Sequence, residues 1–573
     1  MCVACSPGVV RTLQFMASRR EVLRSGALLA ASAWLPTARA QGRTAEVLFR
    51  NGTVLTMDSA RPRAESVAVS GGQIMAVGSE SELEGLRTAQ TKVVDLGGGT
   101  LLPGLIDPHM HSAFVAFETW LDAGPFAMKN MDEVVEALRT AAAKSAPGAW
   151  IKAWQFDATI TPGTTKIDLA LLDRIAPDNP LFLYESNGHV AHVNTKALAA
   201  AGVTRDTPDP PQGRFDRHAN GNLTGRIDET PAILPFLAKI GMPTADETAS
   251  AIGRLFQKAA SRGCTSLFDC GIGIQGPADL MVVQGVMAKN PPVRYAGTLV
   301  STHMQAWRDA GLKPGFGNDR FRVGAIKAWS DGSNQGRSGY LRQPYLNSES
   351  RGALNYTLEQ LTGAIREAHN DGWQVCVHSN GDAAIDTTLD AYEAVLKAKP
   401  RDGHRHRIEH CSILHDDQIA RMKALGLSPS FLIGHVYYWG RAFRDDILGP
   451  DRANRLDPCA SVLKAGLRPT LHSDWNVTEI GPLRMVENAA TRTMRDGGEV
   501  LNPAERVSVE AALRMVTADA AWQCGQDFTG VIMAGKSADL VVLDKDPTKV
   551  DPLTIGQIPV RETWLDGERR FQA

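Results

Sequence analysis

Between residues 101 and 529 the chain alternates short apolar runs with longer amphipathic stretches, and this alternation limits the fold more than any other feature. The apolar runs are 101–111, 180–185, 265–270, 293–300, 323–330, 373–378, 407–410, 425–431 and 468–474. Segments with helical spacing (131–143, 248–262, 358–371, 384–398 and 416–424) fall between many of them. Strands joined through helices run parallel, and a parallel sheet must be covered on both faces. The pattern therefore predicts an α/β fold, a closed (β/α)8 TIM-like barrel over residues 101–529. Nine runs are one too many for eight strands, so one is a loop or an extra strand. The interval 113–260 is also too long for a simple crossover and predicts an inserted substructure.

The flanks read differently. Residues 44–100 hold short alternating runs broken by Asn51-Gly52 and Gly71-Gly72, which are turn dipeptides, and residues 530–573 hold two more such runs. Neither end has enough strands to stand alone, so the two are expected to pair into one small β-sandwich.

Net charge is −2, from 61 basic and 63 acidic residues. This balance gives no nucleic-acid footprint and no basic membrane-binding surface. At the N-terminus, Ser18-Arg19-Arg20 precedes an apolar run (26–35) and Ala38-Arg39-Ala40. Paired arginines, a short apolar core and a small-x-small site describe a twin-arginine export signal over residues 1–40. The run is too short to span a bilayer. A periplasmic or secreted protein is expected, handled by export machinery in transit and not inserted in the membrane after cleavage. Cys264, Cys270, Cys376, Cys411, Cys459 and Cys524 are scattered and match neither a disulfide framework nor paired metal clamps.

Chemistry-bearing residues recur where the strands end, which is where such barrels place their sites. His109 and His111 close the first run; spaced i, i+2 on a strand, they face the same side and can reach one ion. His378, His410 and Asp474 close later runs. Four imidazoles and a carboxylate make a ligand set for one or two divalent ions.

These blocks, in this order, resemble those of the metal-dependent amidohydrolases, specifically amidohydrolase family 3 and its branch similar to N-substituted formamide deformylase. The resemblance rests on Leu102-Pro103-Gly104-Leu105-Ile106-Asp107-Pro108-His109-Met110-His111, Asn187-Gly188-His189, the segment 327–332, His378, Arg407-Ile408-Glu409-His410, Ser473-Asp474 and the closing segment 535–543. It implies hydrolysis of carbon–nitrogen bonds in a small-molecule, non-peptide amide by metal-activated water. His109 and His111 would bind the more buried metal, and His378 and His410 a second one. Asp474 would bind metal and shuttle the proton. Lys327 resembles a bridging lysine that is carboxylated in two-metal members; otherwise it is a structural amine. Zinc is the implied ion, as one or two per chain.

Where the family pattern has Asp-Gly-His, this chain has Asn187, which removes a charge. His189 is a candidate for holding the substrate carbonyl. His192 reads as part of a pocket wall, and Glu229 as a solvated acid at a helix start, with a pocket-lining role as the alternative. His435-Val436-Tyr437-Tyr438-Trp439 offers aromatic stacking to a substrate, or else core or lid packing. His303, His404, His406 and His415 carry no pattern. The same site could serve an esterase, a lactonase or a deaminase; a binding protein without catalysis is the non-enzymatic alternative. The sequence leaves open whether the protein forms an oligomer.

Overall fold

The surplus run has a definite place. The computed structural model describes residues 44–125, 127–163, 167–241, 243–495 and 497–573; the expected leader, residues 1–40, lies outside them. Eight parallel strands follow one another around the barrel: β1 Leu105–Met110, β2 Cys264–Ile272, β3 Arg294–Val300, β4 Phe321–Trp329, β5 Gln374–Ser379, β6 Arg407–His410, β7 Ser428–Phe431 and β8 Thr470–Leu471. The ninth run is Leu181–Glu185, which belongs to a separate sheet. It is fully buried and pairs in parallel with Ile151–Phe156, so it has the same apolar signature as a barrel strand.

The barrel closes between β1 and the end of β8. His111 N–H donates to Trp475 O (2.8 Å) and Asp474 N–H to His109 O (3.0 Å), and a parallel bridge joins Met110 to Trp475. Side chains reinforce the seam, with Ser473 Oγ and N donating to the two carboxylate oxygens of buried Asp107 at 2.5 and 3.2 Å. The helices outside follow their local sequence. Ala245–Ser261 starts at a Thr244/Glu247 capping box and buries Ala251, Ile252, Leu255, Phe256, Ala259 and Ala260 along one stripe.

Residues between β1 and this helix build a six-stranded sheet: Arg214–Arg217, Leu223–Asp228, Val190–Val193, Leu181–Glu185, Ile151–Phe156 and Leu121–Asp122. It has apolar cores of its own, around Phe182, Phe215 and Phe236 on one side and Leu138, Phe156 and Leu172 on the other. Polar pins seat it on the barrel. Gln155 Nε2 donates to Asn476 O (2.9 Å), Asn476 Nδ2 to Ser186 O (3.3 Å) and Trp439 Nε1 to Asp157 Oδ2 (2.8 Å). At the chain's two ends, Leu540–Leu543 pairs with Thr100–Pro103 inside a six-stranded sheet that mixes both ends, beside a four-stranded sheet containing Val47–Arg50. Phe49, Val67, Leu101, Leu540 and Trp564 share the core between them. Arg294, at the base of β3, is buried and ties barrel to sandwich through a two-pronged contact with Asp539 (2.7 and 2.9 Å).

All six cysteines among the described residues are free and buried. No helix among them is long and apolar enough to cross a membrane.

At the barrel's lower end, buried His406 and His369 form a relay, with half-buried His404 beside them. Val375 N–H donates to His406 Nδ1 (2.9 Å), so the His406 proton sits on Nε2, which donates to His369 Nδ1 (2.9 Å); His369 Nε2 then donates to Lys399 O (2.8 Å). His404 Nδ1 accepts from His406 N–H (2.9 Å). Every proton is assigned with the rings neutral, and burial holds the pKa of His406 well below the ordinary histidine value and lowers that of His369. In the unfolded chain both would titrate near ~6.5. The folded pKa is therefore depressed: stability is kept above about pH 6.5 and lost as pH falls below it, because the unfolded chain takes up protons that the fold refuses. The melting temperature should hold steady from pH 8 to 7 and fall towards pH 5. Replacing the His369 side chain (His369→Gln) should flatten that fall, as measured by calorimetry across the range.

Candidate active site

Strand register brings the expected residues to one focus at the upper end of the barrel. His109 Nε2, His111 Nε2 and Asp474 Oδ1 form a triangle with sides of 3.3, 3.2 and 3.2 Å. Donors ~2.0–2.1 Å from a common ion in a tetrahedral array lie ~3.3 Å apart, so the triangle has the dimensions of a metal-binding face. His410 follows, with its ring 5.0 Å from that of His109 and its Nδ1 3.9 Å from Asp474 Oδ2. The His378 ring is 4.5 Å from that of His410, and the His189 ring is 5.1 Å from that of His378. Lys327 is fully buried on β4 with Nζ 3.4 Å from His109 Nε2, and no carboxylate lies within ion-pair distance of it among the described residues.

The protonation pattern suits a cation. Glu409 accepts from His109 Nδ1 at 2.7 Å, so the His109 proton lies there and the Nε2 lone pair faces the triangle. Burial would raise the Glu409 pKa, but Arg407 and then His109 hold it well below the usual carboxylate range. Arg407, itself buried, also donates to Pro108 O (2.9 Å), anchoring the pair beneath β1. His378 Nε2 lies 3.0 Å from Gly332 O, an acceptor only, which leaves Nδ1 as its lone-pair atom. Burial keeps His378, His410 and His472 well below the ordinary histidine pKa, hence neutral. Against the cost of burial, the neighbouring imidazoles, His109 first, hold Asp474 well below the usual carboxylate range. Neutral imidazoles around an ionised carboxylate are the forms in which these groups bind metal. Asp474 Oδ1, His111 Nδ1, His410 Nδ1 and His472 Nδ1 are buried without a hydrogen-bond partner. Such orphaned atoms each cost about 1–3 kcal/mol unless something else satisfies them.

His410 and Asp474 both occupy left-handed backbone, with φ of 71° and 50°. Each such residue costs about 1–3 kcal/mol and is retained where its surroundings over-determine it, commonly at sites of function.

Some expectations need correction. His192 does not shape the cavity wall: it is buried behind it, with Nε2 2.7 Å from Glu185 Oε1. Glu229 is no solvated acid; it lines the cavity and pairs with His189 Nδ1 at 2.8 Å. His435 and Trp439 are buried, and none of residues 435–439 lines the cavity, so the core alternative holds. Sequence reasoning missed His472, whose ring stacks on His109 at 4.5 Å and which with His109 and Asp474 makes a group able to hold an ion. The signal was available, since His472 and Asp474 repeat the i, i+2 spacing of His109 and His111. Glu409 was also missed, and so was His303, which lines the cavity with no motif around it.

Above the focus lies a cavity of about 330 Å3. His111, His189, His378, His410 and Asp474 line its floor and wall, and Phe114, Tyr184, Ile274, Val300, Trp329 and Tyr356 are among the apolar side chains around them.

A model of the amidohydrolase family matches residues 92–571. The chain belongs to the amidohydrolase family. It is therefore a hydrolase of carbon–nitrogen bonds other than peptide bonds, from a superfamily whose chemistry depends on metal. This amidohydrolase is similar to N-substituted formamide deformylase of Arthrobacter pascens, at 29% identity over 546 residues, covering 92% of this chain and 98% of the relative. It is also similar to protein LONG AFTER FAR-RED 3 of Arabidopsis thaliana, at 29% identity over 520 residues and 88% of both chains. An uncharacterized metal-dependent hydrolase of Pyrococcus horikoshii shares the fold, with a TM-score of 0.70 at 22% identity, covering 88% of this amidohydrolase and 99% of that chain.

Removing the carboxylate that orients His109 should loosen an ion held by the triangle, and it also costs stability, because buried Arg407 loses its partner. Glu409→Gln is expected to weaken metal affinity about 10–100-fold, read by competition with a chromophoric chelator.

Proposed function

We propose that this amidohydrolase cleaves a neutral, non-peptide amide, such as an N-substituted formamide, using one or two divalent ions held by His109, His111, His378, His410 and Asp474. The observation that carries the reading is the triangle of His109 Nε2, His111 Nε2 and Asp474 Oδ1 at 3.2–3.3 Å on the floor of an apolar cavity. Imidazole and carboxylate donors in this number favour zinc. The bound ion would supply an acidified water and polarise the amide carbonyl. Asp474 accepts the proton released as the carbonyl is attacked and delivers it to the departing nitrogen, which leaves poorly as an unprotonated amine. His189, across the cavity from Asp474, meets the carbonyl oxygen as charge develops on it. The buried Lys327 amine, without a carboxylate partner, supports carboxylation: an ammonium repels a cation, whereas a carbamate offers two anionic oxygens. The exported location expected from Arg19-Arg20 belongs to the same proposal.

Substitution of Asp474 by Asn should abolish turnover, by about 100–10,000-fold, while elemental analysis finds metal near the wild-type content. Turnover close to wild type in that variant would refute the assignment, and metal without turnover on amide, ester and lactone panels would favour a binding protein.

The cavity also sets the class of amide. Among the described residues no lysine or arginine lines it, so a substrate carboxylate lying away from the ions would be buried without a cationic side chain to meet it. Such a mismatch costs about 1–3 kcal/mol or more. Neutral N-substituted formamides should therefore exceed N-formyl amino acids in kcat/KM by roughly tenfold or more; equal values would refute this preference.

A further inference from the structure

His189 and Glu229 reach the site from the inserted sheet, and their mutual geometry is more constrained than cavity lining requires. The two residues are bonded twice: Glu229 N–H donates to His189 O (2.7 Å), and Glu229 Oε2 lies 2.8 Å from His189 Nδ1. Glu229 has φ 68° and ψ 151°, a region that essentially only glycine occupies without strain. Space for its carboxylate comes from Gly332, since a Cβ at that position would lie 2.3 Å from Glu229 Oε1. Ser338 Oγ, 3.4 Å away, approaches the same oxygen. A strained backbone, a bare glycine and a hydroxyl all serve to aim one carboxylate at one ring nitrogen.

Because a carboxylate only accepts, this contact places a proton on His189 Nδ1 and fixes the ring plane. The carbonyl oxygen also only accepts, so the ring meets it as an imidazolium whose Nε2–H donates, the form that the adjoining Glu229 carboxylate favours. Burial alone would lower the His189 pKa, but the charge of Glu229 and its hydrogen bond raise it.

We infer that Glu229 is a positioning residue for the hydrolytic step: it locks His189 so that Nε2 is presented to the carbonyl oxygen of the amide. The inference rests on the role given to His189 in the proposed function. It extends the working set of the active site to an acid outside the metal cluster, carried by a different sheet.

The decisive variant is Glu229→Gly, because glycine accepts the local φ and ψ without strain while deleting the carboxylate. Its melting temperature should equal or exceed that of the wild type and its metal content should be unchanged. Its kcat should fall about 10–100-fold, the usual loss on removing the partner that orients a functional histidine. KM should change little, as expected for an interaction used in the transition state. His189→Ala should lose about 100–1,000-fold, and the double variant should be no slower than His189→Ala, since the acid acts only through the ring. Wild-type kcat in Glu229→Gly alongside an impaired His189→Ala would overturn the inference alone. Additive losses in the double variant would do the same. Wild-type kcat in His189→Ala would overturn both this inference and the role of His189, leaving the metal assignment to stand or fall on elemental analysis.

Discussion

The seam between β1 and the end of β8 carries the rest of the molecule. Asp107 and Ser473 meet across 366 positions of chain, and the backbone bonds on either side of them close the barrel. The same few residues hold His109, His111 and Asp474. Closing the sheet and assembling the donor triangle are thus one event, and loop-closure entropy is offset at the place where the orphaned polar atoms cluster. The left-handed backbone of Asp474 belongs to that closure, because a residue turning out of β8 towards β1 must leave the extended region.

Much of this was legible in the sequence, for identifiable reasons. The alternation of apolar runs with helical stretches marks a parallel barrel, and the i, i+2 spacing of His109 and His111 puts both on one face, so the barrel and its strand-end residues could be read. Run 180–185 could not be told from a barrel strand, because burial on both faces erases the alternation that distinguishes one sheet from another. His472 was overlooked although it repeats the spacing of His109 and His111. Glu409 was overlooked because an acid beside a histidine carries no signal until β6 places it under β1. The pairing of Glu229 with His189 joins residues 40 apart, and only the antiparallel pairing of Val190–Val193 with Leu223–Asp228 brings them together. Helix-start chemistry pointed to solvent instead.

The two ends of the barrel show a division of labour made with the same residue type. At the top, His378, His410 and His472 are kept neutral by burial, and Nδ1 of His410 and of His472 has no protein partner. At the bottom, His406 and His369 are equally neutral, but each lone pair and proton is matched within the protein. What separates chemistry from scaffolding here is the state of the hydrogen-bond accounts and not the amino acid.

The inserted sheet has cores of its own and is pinned to the barrel by polar contacts, among them Gln155 to Asn476, Trp439 to Asp157 and Arg226 to Gly336 O. His189 rides on that sheet, whereas His378 is fixed in the barrel wall. The cavity is therefore walled by two separately folded units, and the seating of the sheet on the barrel sets the 5.1 Å between the His189 and His378 rings.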